Sequence, residues 1–144
     1  MNDFERALRH LPHGPEFRFL DRITALAPGS SGQGEYTVRG DEPFLRGHFP
    51  GQPMLPGVLL LEAAAQLAGT VAQSDPKIPP LRGLKLTAIR AAKILGTASP
   101  GQCVFLEATV TARLGPLVQA QVTATVEGCL MLQVELTLSG ELRS

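Results

Sequence analysis

Tryptophan is absent from this chain, tyrosine occurs once, and net charge is zero, with 13 Lys and Arg against 13 Asp and Glu. Platforms for stacking bases are therefore scarce. No bulk attraction draws the protein to nucleic acid or to an anionic membrane. Cysteine occurs twice, as Cys103 and Cys129, with no CxxC pair and no Cys/His cluster. That pattern points to two small, reduced residues rather than to a disulfide or a metal site. A long hydrophobic run is missing as well. The most apolar stretch, Val58 to Ala72, is about 15 residues long and contains Glu62 and Gln66. A bilayer span needs about 20 residues with no charge at the centre, so this run reads as a buried core helix. The first residues, MNDFERALRHLPHG, have no apolar segment of the signal-peptide kind. The expected location is cytoplasmic, with neither membrane nor nucleic acid as partner.

What is present is an ordinary globular composition, 44% hydrophobic and 18% charged over 144 residues. It predicts one domain spanning residues 1–144. Asn2 or Asp3 can cap a short helix running to about Arg9, ended by Pro12 and Gly14. Phe17 to Ala27 reads as a strand stopped by Pro28-Gly29, and Gly32 to Arg39 as its hairpin partner. Asp41 to Pro56 is irregular, with four prolines. A helix begins near Gly57, and its apolar residues go all the way round, so protein should surround it. Its polar members Glu62, Gln66, Thr70 and Gln73 fall at spacings of four, four and three, which places them on one narrow stripe. Ser74 to Pro80 is a proline-rich exit loop.

The last third alternates with period two in three runs. Val104 to Ala112, Val118 to Val126 and Leu130 to Leu138 each put an apolar set on one face. Turns fall at Gly115-Pro116 and Glu127-Gly128. Leu84 to Ile94 is a fourth strand whose phase breaks near Ala88-Ile89, as a bulge would do. One helix that must be buried on all sides, together with six strands, calls for an antiparallel sheet curled around that helix. This is an α+β hotdog fold. The exposed edges of such a sheet invite a second copy.

Chemistry concentrates between His48 and Gln66. Glu62 is a carboxylate in an otherwise apolar helix, expensive unless paired or neutralised; burial would favour its protonated form, which can donate a proton. The competing reading is a structural Glu satisfied by a partner. His48 sits on a loop stiffened by Pro50 and Pro53, which delivers the chain into the helix bearing Glu62. A lone loop histidine is otherwise commonly a surface residue, and His10 and His13 show no comparable company. Gly57 opens the helix, where the first N–H groups lack internal acceptors and the macrodipole is positive. That end can bind a developing oxyanion, or it can be a plain helix start.

The run His48-Phe49-Pro50-Gly51-Gln52-Pro53-Met54-Leu55-Pro56-Gly57-Val58-Leu59, followed by Glu62-Ala63-Ala64-Ala65-Gln66, resembles the β-hydroxyacyl-acyl carrier protein dehydratases of fatty acid synthesis. The resemblance extends to Leu11-Pro12-His13 with Phe17 and Asp21-Arg22, to Glu42-Pro43-Phe44 and to Pro100-Gly101. It implies dehydration of a (3R)-3-hydroxyacyl thioester on acyl carrier protein to the trans-2-enoyl thioester. It also implies a homodimer, with trimers of dimers among relatives, and sites shared between subunits. His48 would be the base at C2 and Glu62 the acid toward the C3 hydroxyl. The Gly57 N–H would bind the thioester carbonyl, and Gln66 would orient Glu62 in the substrate site. No metal or redox cofactor is required. A cis His48-Phe49 bond is a further implication. Isomerising relatives carry Asp where this chain has Glu62, so isomerisation is not expected.

The chain departs from the family pattern at Leu55, usually Met, and at Gly14-Pro15-Glu16, usually Arg-Tyr-Pro. It departs again at Ala92 to Ser99, which lacks the usual basic and aromatic residues. Acyl-chain length and carrier preference are left open by these changes. Arg46, Arg82, Lys85, Arg90 and Lys93 are the cations available for an acidic carrier. Alternative functions are a polyketide or polyene dehydratase, a thioesterase on the same fold, and a non-catalytic acyl-thioester-binding protein.

Overall fold

The computed structural model describes residues 2–142. A short helix α1 (Asp3–Leu8) is capped by the Asn2 side chain, which accepts from Glu5 N at 2.8 Å. Strands β1 (Arg22–Ala27) and β2 (Ser31–Thr37) follow, then helix α2 (Gly57–Ala72), then β3 (Arg82–Ile94), β4 (Cys103–Leu114), β5 (Leu117–Val126) and β6 (Cys129–Glu141). The strands form one sheet in the order β1-β2-β4-β5-β6-β3, and every neighbouring pair is antiparallel. The sheet curls around α2 in the hotdog arrangement.

The period-two runs land on the face they predict. Val104, Leu106 and Ala108, Val118 to Val126 in alternation, and Leu132, Val134, Leu136 and Leu138 are all buried. They pack on Leu60, Ala64, Leu67, Ala68 and Val71, each at 0% exposure. Burying a leucine fully stabilises the fold by about 1.5–3 kcal/mol, so α2 and the meander hold each other in place. Small residues let the sheet come close. A Cβ on Gly32 would stand 2.7 Å from Val71, and one on Gly34 2.7 Å from Leu20.

Three expectations need correction. The first strand starts at Arg22 rather than Phe17, because the backbone of Phe17 and Phe19 hydrogen-bonds to Gln66 of α2 instead of joining the sheet. Protein surrounds α2 except at its first turn, where Val58 is 69% exposed. Finally, β3 shifts register between Leu86 and Ala88, near the expected break, but also at two places the pattern did not announce, between Arg82 and Lys85 and between Arg90 and Lys93. Among the described residues, no helix is long and apolar enough to cross a membrane.

The approach to the His48 loop is anchored by a buried carboxylate. Glu42 is 5% exposed. It accepts from the Tyr36 hydroxyl at 2.5 Å, Gly40 N at 2.7 Å and Arg39 N at 3.1 Å. Burial pushes its pKa up, but the hydrogen bonds from Tyr36 and the backbone outweigh burial and hold it below the usual carboxylate range. Burial and the Glu42 carboxylate in turn push the Tyr36 hydroxyl well above its ordinary value. Because Glu42 is more acidic folded than unfolded, its stabilisation is complete above the unfolded value of about 4.3 and fades as pH falls through the lower folded value. Tyr36→Phe is expected to lower stability by about 1.5–3 kcal/mol in urea unfolding at neutral pH. Glu42→Gln should flatten the loss of stability that the wild type shows on acidification below about pH 4.3. A wild-type acid profile in the Glu42 variant would refute this anchoring.

Candidate active site

The loop from Gly47 to Pro56 closes on itself. Met54 N donates to His48 O at 2.9 Å, and Gln52 N donates to Phe49 O at 2.9 Å. The His48–Phe49 peptide bond is cis, and the two rings stack with centroids 4.1 Å apart. His48 Nδ1 lies 3.1 Å from Met54 O. A carbonyl only accepts, so Nδ1 carries the proton of the neutral ring and Nε2 keeps its lone pair. The loop thus presents a half-buried imidazole in the tautomer of a base. Downstream, Leu55 N donates to Ala98 O at 2.8 Å and the Thr97 hydroxyl bonds Leu55 O, tying the helix entry to the segment after β3.

The two ends of α2 are treated differently. At its C-terminus Arg113 of β4 donates from Nη1 to Ala72 O at 2.7 Å, placing a cation where the macrodipole is negative. The last turn of α2 has no basic residue of its own. At the N-terminus Pro56 offers no capping side chain. Among the described residues the N–H groups of Gly57 and Val58 have no acceptor. A Cβ at Gly57 would come within 3.1 Å of Ile94, so Gly lets β3 approach the helix entry closely.

The polar stripe of α2 lies on one side of the helix and is satisfied in sequence. Gln73 exchanges two hydrogen bonds with the Leu81 backbone, 2.8 and 3.0 Å, closing the exit loop. The Thr70 hydroxyl donates to Gln66 O at 2.8 Å. Gln66 is 2% exposed. Its Oε1 accepts from Phe19 N at 2.8 Å, and its Nε2 donates to Phe17 O at 2.9 Å and to Glu62 Oε2 at 3.1 Å. Its amide is committed to the chain, and the residue lines the same cavity as Glu62.

Glu62 lines a cavity of about 1010 Å3 bounded by α2, β3 and the segment before β1. Its side chain is 25% exposed, so it is less buried than an all-round apolar helix implies. The reason is the cavity itself, which opens beside it. His13 Nε2 approaches Glu62 Oε2 to 3.4 Å. His48 does not line this cavity, so within one chain Glu62 and Gln66 are brought together while His48 stands apart. Among the described residues no group of three or more His, Cys, Asp or Glu side chains is placed to hold a metal ion. Cys103 and Cys129 are both free thiols.

A family model described as a FabA-like domain matches residues 11–135. The chain belongs to the FabA-like family. It is 34% identical over 134 residues to the 3-hydroxyacyl-acyl-carrier-protein dehydratase FabZ of Myxococcus xanthus (strain DK1622), covering 92% of this chain and 88% of that one. It is 37% identical over 134 residues to the same-named protein of Anaeromyxobacter sp. (strain Fw109-5), covering 88% and 82%. Among solved structures, the dehydratase heterocomplex ApeI:P from Xenorhabdus doucetiae superposes with a TM-score of 0.80 at 18% identity, over 95% of this chain and 91% of that one. Zebra fish thioesterase superfamily member 2 superposes with a TM-score of 0.69 at 16% identity, over 93% of each. At such identities the two structures speak for the hotdog fold alone.

Neither His13 nor Arg113 stands out by local pattern. His13 does belong to the Leu11-Pro12-His13 motif, which is a usable signal. Arg113 carried none, because only the sheet brings it to the end of α2. Gln66→Met keeps size but leaves Phe19 N and Phe17 O without their partner. Each buried unpaired group costs about 1–3 kcal/mol. Urea unfolding of the Gln66→Met variant should show a loss of that order or larger, and an unchanged midpoint would contradict the tie described for Gln66.

Proposed function

We propose that this protein is a (3R)-3-hydroxyacyl-acyl carrier protein dehydratase of fatty acid biosynthesis, forming the trans-2-enoyl thioester, with His48 and Glu62 as its catalytic pair. The observation that carries the reading is the state of these side chains. His48 has Nδ1 committed to Met54 O and Nε2 open. Glu62 has Oε2 held by Gln66 at the wall of a cavity. Relatives named for this reaction align with about nine-tenths of the chain, which supports the same assignment.

In the forward reaction His48 Nε2 takes the C2 proton, and the electron pair of that bond becomes the C2=C3 double bond. The C3–O bond breaks as Glu62 gives its proton to the departing hydroxyl, which leaves as water. Negative charge grows on the thioester oxygen while C2 is losing its proton. The unpartnered Gly57 N–H, at the positive end of α2, is suited to stabilise it. Gln66 orients the Glu62 carboxyl. The proton gained by His48 equals the one lost by Glu62, so exchange with water resets the pair.

The site takes two chains in this reading. The outer edge of β3 is unpaired. Around the helix entry Val58, Ile94 and Leu95 are 69%, 50% and 62% exposed. A second copy placing its β3 beside this one would cover that apolar surface and bring its own His48 loop toward Glu62. Acyl carrier protein would deliver the substrate, docking through Arg46, Arg82, Lys85, Arg90 and Lys93. Two of these are already engaged: Arg90 lies 3.2 Å from Glu135 and Arg82 4.0 Å from Glu141.

His48→Ala and Glu62→Gln should each lower kcat by roughly 10²–10⁴ with folding and dimerisation intact, measured by hydration of enoyl thioesters through loss of ultraviolet absorbance. Random 1:1 exchange of the two variants makes half the dimers mixed, and each mixed dimer holds one intact site. Recovery of about a quarter of wild-type activity is therefore expected, given independent sites. No recovery, with mixed dimers shown to form, places both residues on one chain. Full activity in either single variant overturns the mechanism.

The KM for carrier-linked substrate should rise only modestly from low to high salt, because exposed pairs are weak and screened and net charge is zero. A KM that does not move removes ionic docking as the main contribution.

A further inference from the structure

His13 lies between α1 and the 3-10 turn Pro15–Phe17, outside every element that the proposed chemistry uses. Its ring stacks on Phe17 with centroids 6.2 Å apart. Nε2 stands 3.4 Å from Glu62 Oε2. Nδ1 is buried and has no partner. A neutral imidazole has one N–H to place. On Nδ1, that N–H would be a buried donor without an acceptor, and the Nε2 lone pair would face the carboxylate. On Nε2, it points at Glu62 and leaves at Nδ1 only an unfilled lone pair. A doubly protonated ring would again strand the Nδ1 donor. The proton therefore belongs on Nε2.

Glu62 Oε2 then faces two donors from the same chain, Gln66 Nε2–H at 3.1 Å and His13 Nε2–H at 3.4 Å. Oε1 has no chain partner among the described residues. We propose that His13 is a positioning residue for the proton-donating step. With Gln66 it saturates Oε2, so that the proton Glu62 delivers is held on Oε1 and the carboxyl keeps one orientation toward the substrate hydroxyl. At 3.4 Å the contact is long for a hydrogen bond, and catalytic hydrogen bonds that are long without substrate commonly tighten in the reacting complex. This rests on the reading of Glu62 as the acid.

The test compares five proteins in the enoyl hydration assay: wild type, E62Q, H13F, H13Q and the double variant of H13F with E62Q. H13F keeps the ring and its contact with Phe17 but removes both nitrogens. H13Q places an amide N–H near the former Nε2. H13F is expected to lower kcat by about 10–100-fold, the order set by losing one charge-assisted hydrogen bond, with KM unchanged. H13Q is expected to recover to within about threefold of wild type, since the donor is what matters. Added to E62Q, H13F should cause no further loss, because the two act through one carboxyl. Should H13F not fold, H13N takes its place: its amide reaches only the Nδ1 position, so it must show the loss that H13Q does not. Wild-type kcat in H13F, or a loss that H13Q does not recover, overturns the proposal while leaving Glu62 as the acid. Full activity in E62Q overturns the underlying reading instead.

Discussion

The burial of α2 is the constraint on which the rest of the molecule depends. Its middle residues are sealed from water: Leu60, Ala64, Leu67, Ala68 and Val71 are all at 0% exposure. A helix apolar on every side gains its stability from surroundings rather than from its own propensity. A sheet can supply those surroundings only by curling, and the small residues of β2 and α2 let it approach. The meander β4–β5–β6 supplies the inner wall.

That constraint leaves one side of the helix for polar groups, and the site grows out of how they are satisfied. Gln66, Thr70 and Gln73 are largely buried, and each is paired with backbone. The pairing of Gln66 draws the Phe17–Phe19 segment off the sheet and onto the helix. That move carries His13 to Glu62 and forms one wall of the cavity. Structural satisfaction and placement of the carboxyl are thus the same set of hydrogen bonds. The two helix ends continue the division of labour. Arg113 closes the C-terminal end, and the N-terminal end keeps unpartnered N–H groups beside Gly57. A bound anion or polarised carbonyl is therefore favoured at one end only.

What α2 does not bury faces outward. Val58, Ile94 and Leu95 form an exposed apolar surface around the helix entry, next to a long unpaired edge strand. Exposed apolar patches beside free edges are where chains associate. The separation of His48 from the Glu62 cavity within one chain belongs to the same picture. The second copy proposed above would cover the patch and complete the site together.

The amino-acid sequence by itself determined the helix and the meander. Their periods of 3.6 and 2 are written in local order, and the Val104 and Val118 runs appear where alternation places them, while the third run is in phase only from Leu132, Leu130 being 38% exposed beside a register shift. It also singled out the residues proposed for the chemistry, since the spacing from His48 through Gly57 to Glu62 is a property of contiguous chain. Only the tertiary structure decided where β1 begins, because Phe17 to Phe19 chooses between strand and helix contact by a partner 47 residues away, at Gln66. It alone decided that Arg113 would end α2, that Met54 O would set the His48 tautomer, and that His13 would stand at Glu62. These are meetings of groups distant in sequence or folded back by a loop. Local pattern carries no record of them, because a side chain's partner is selected by which surfaces the buried helix forces together.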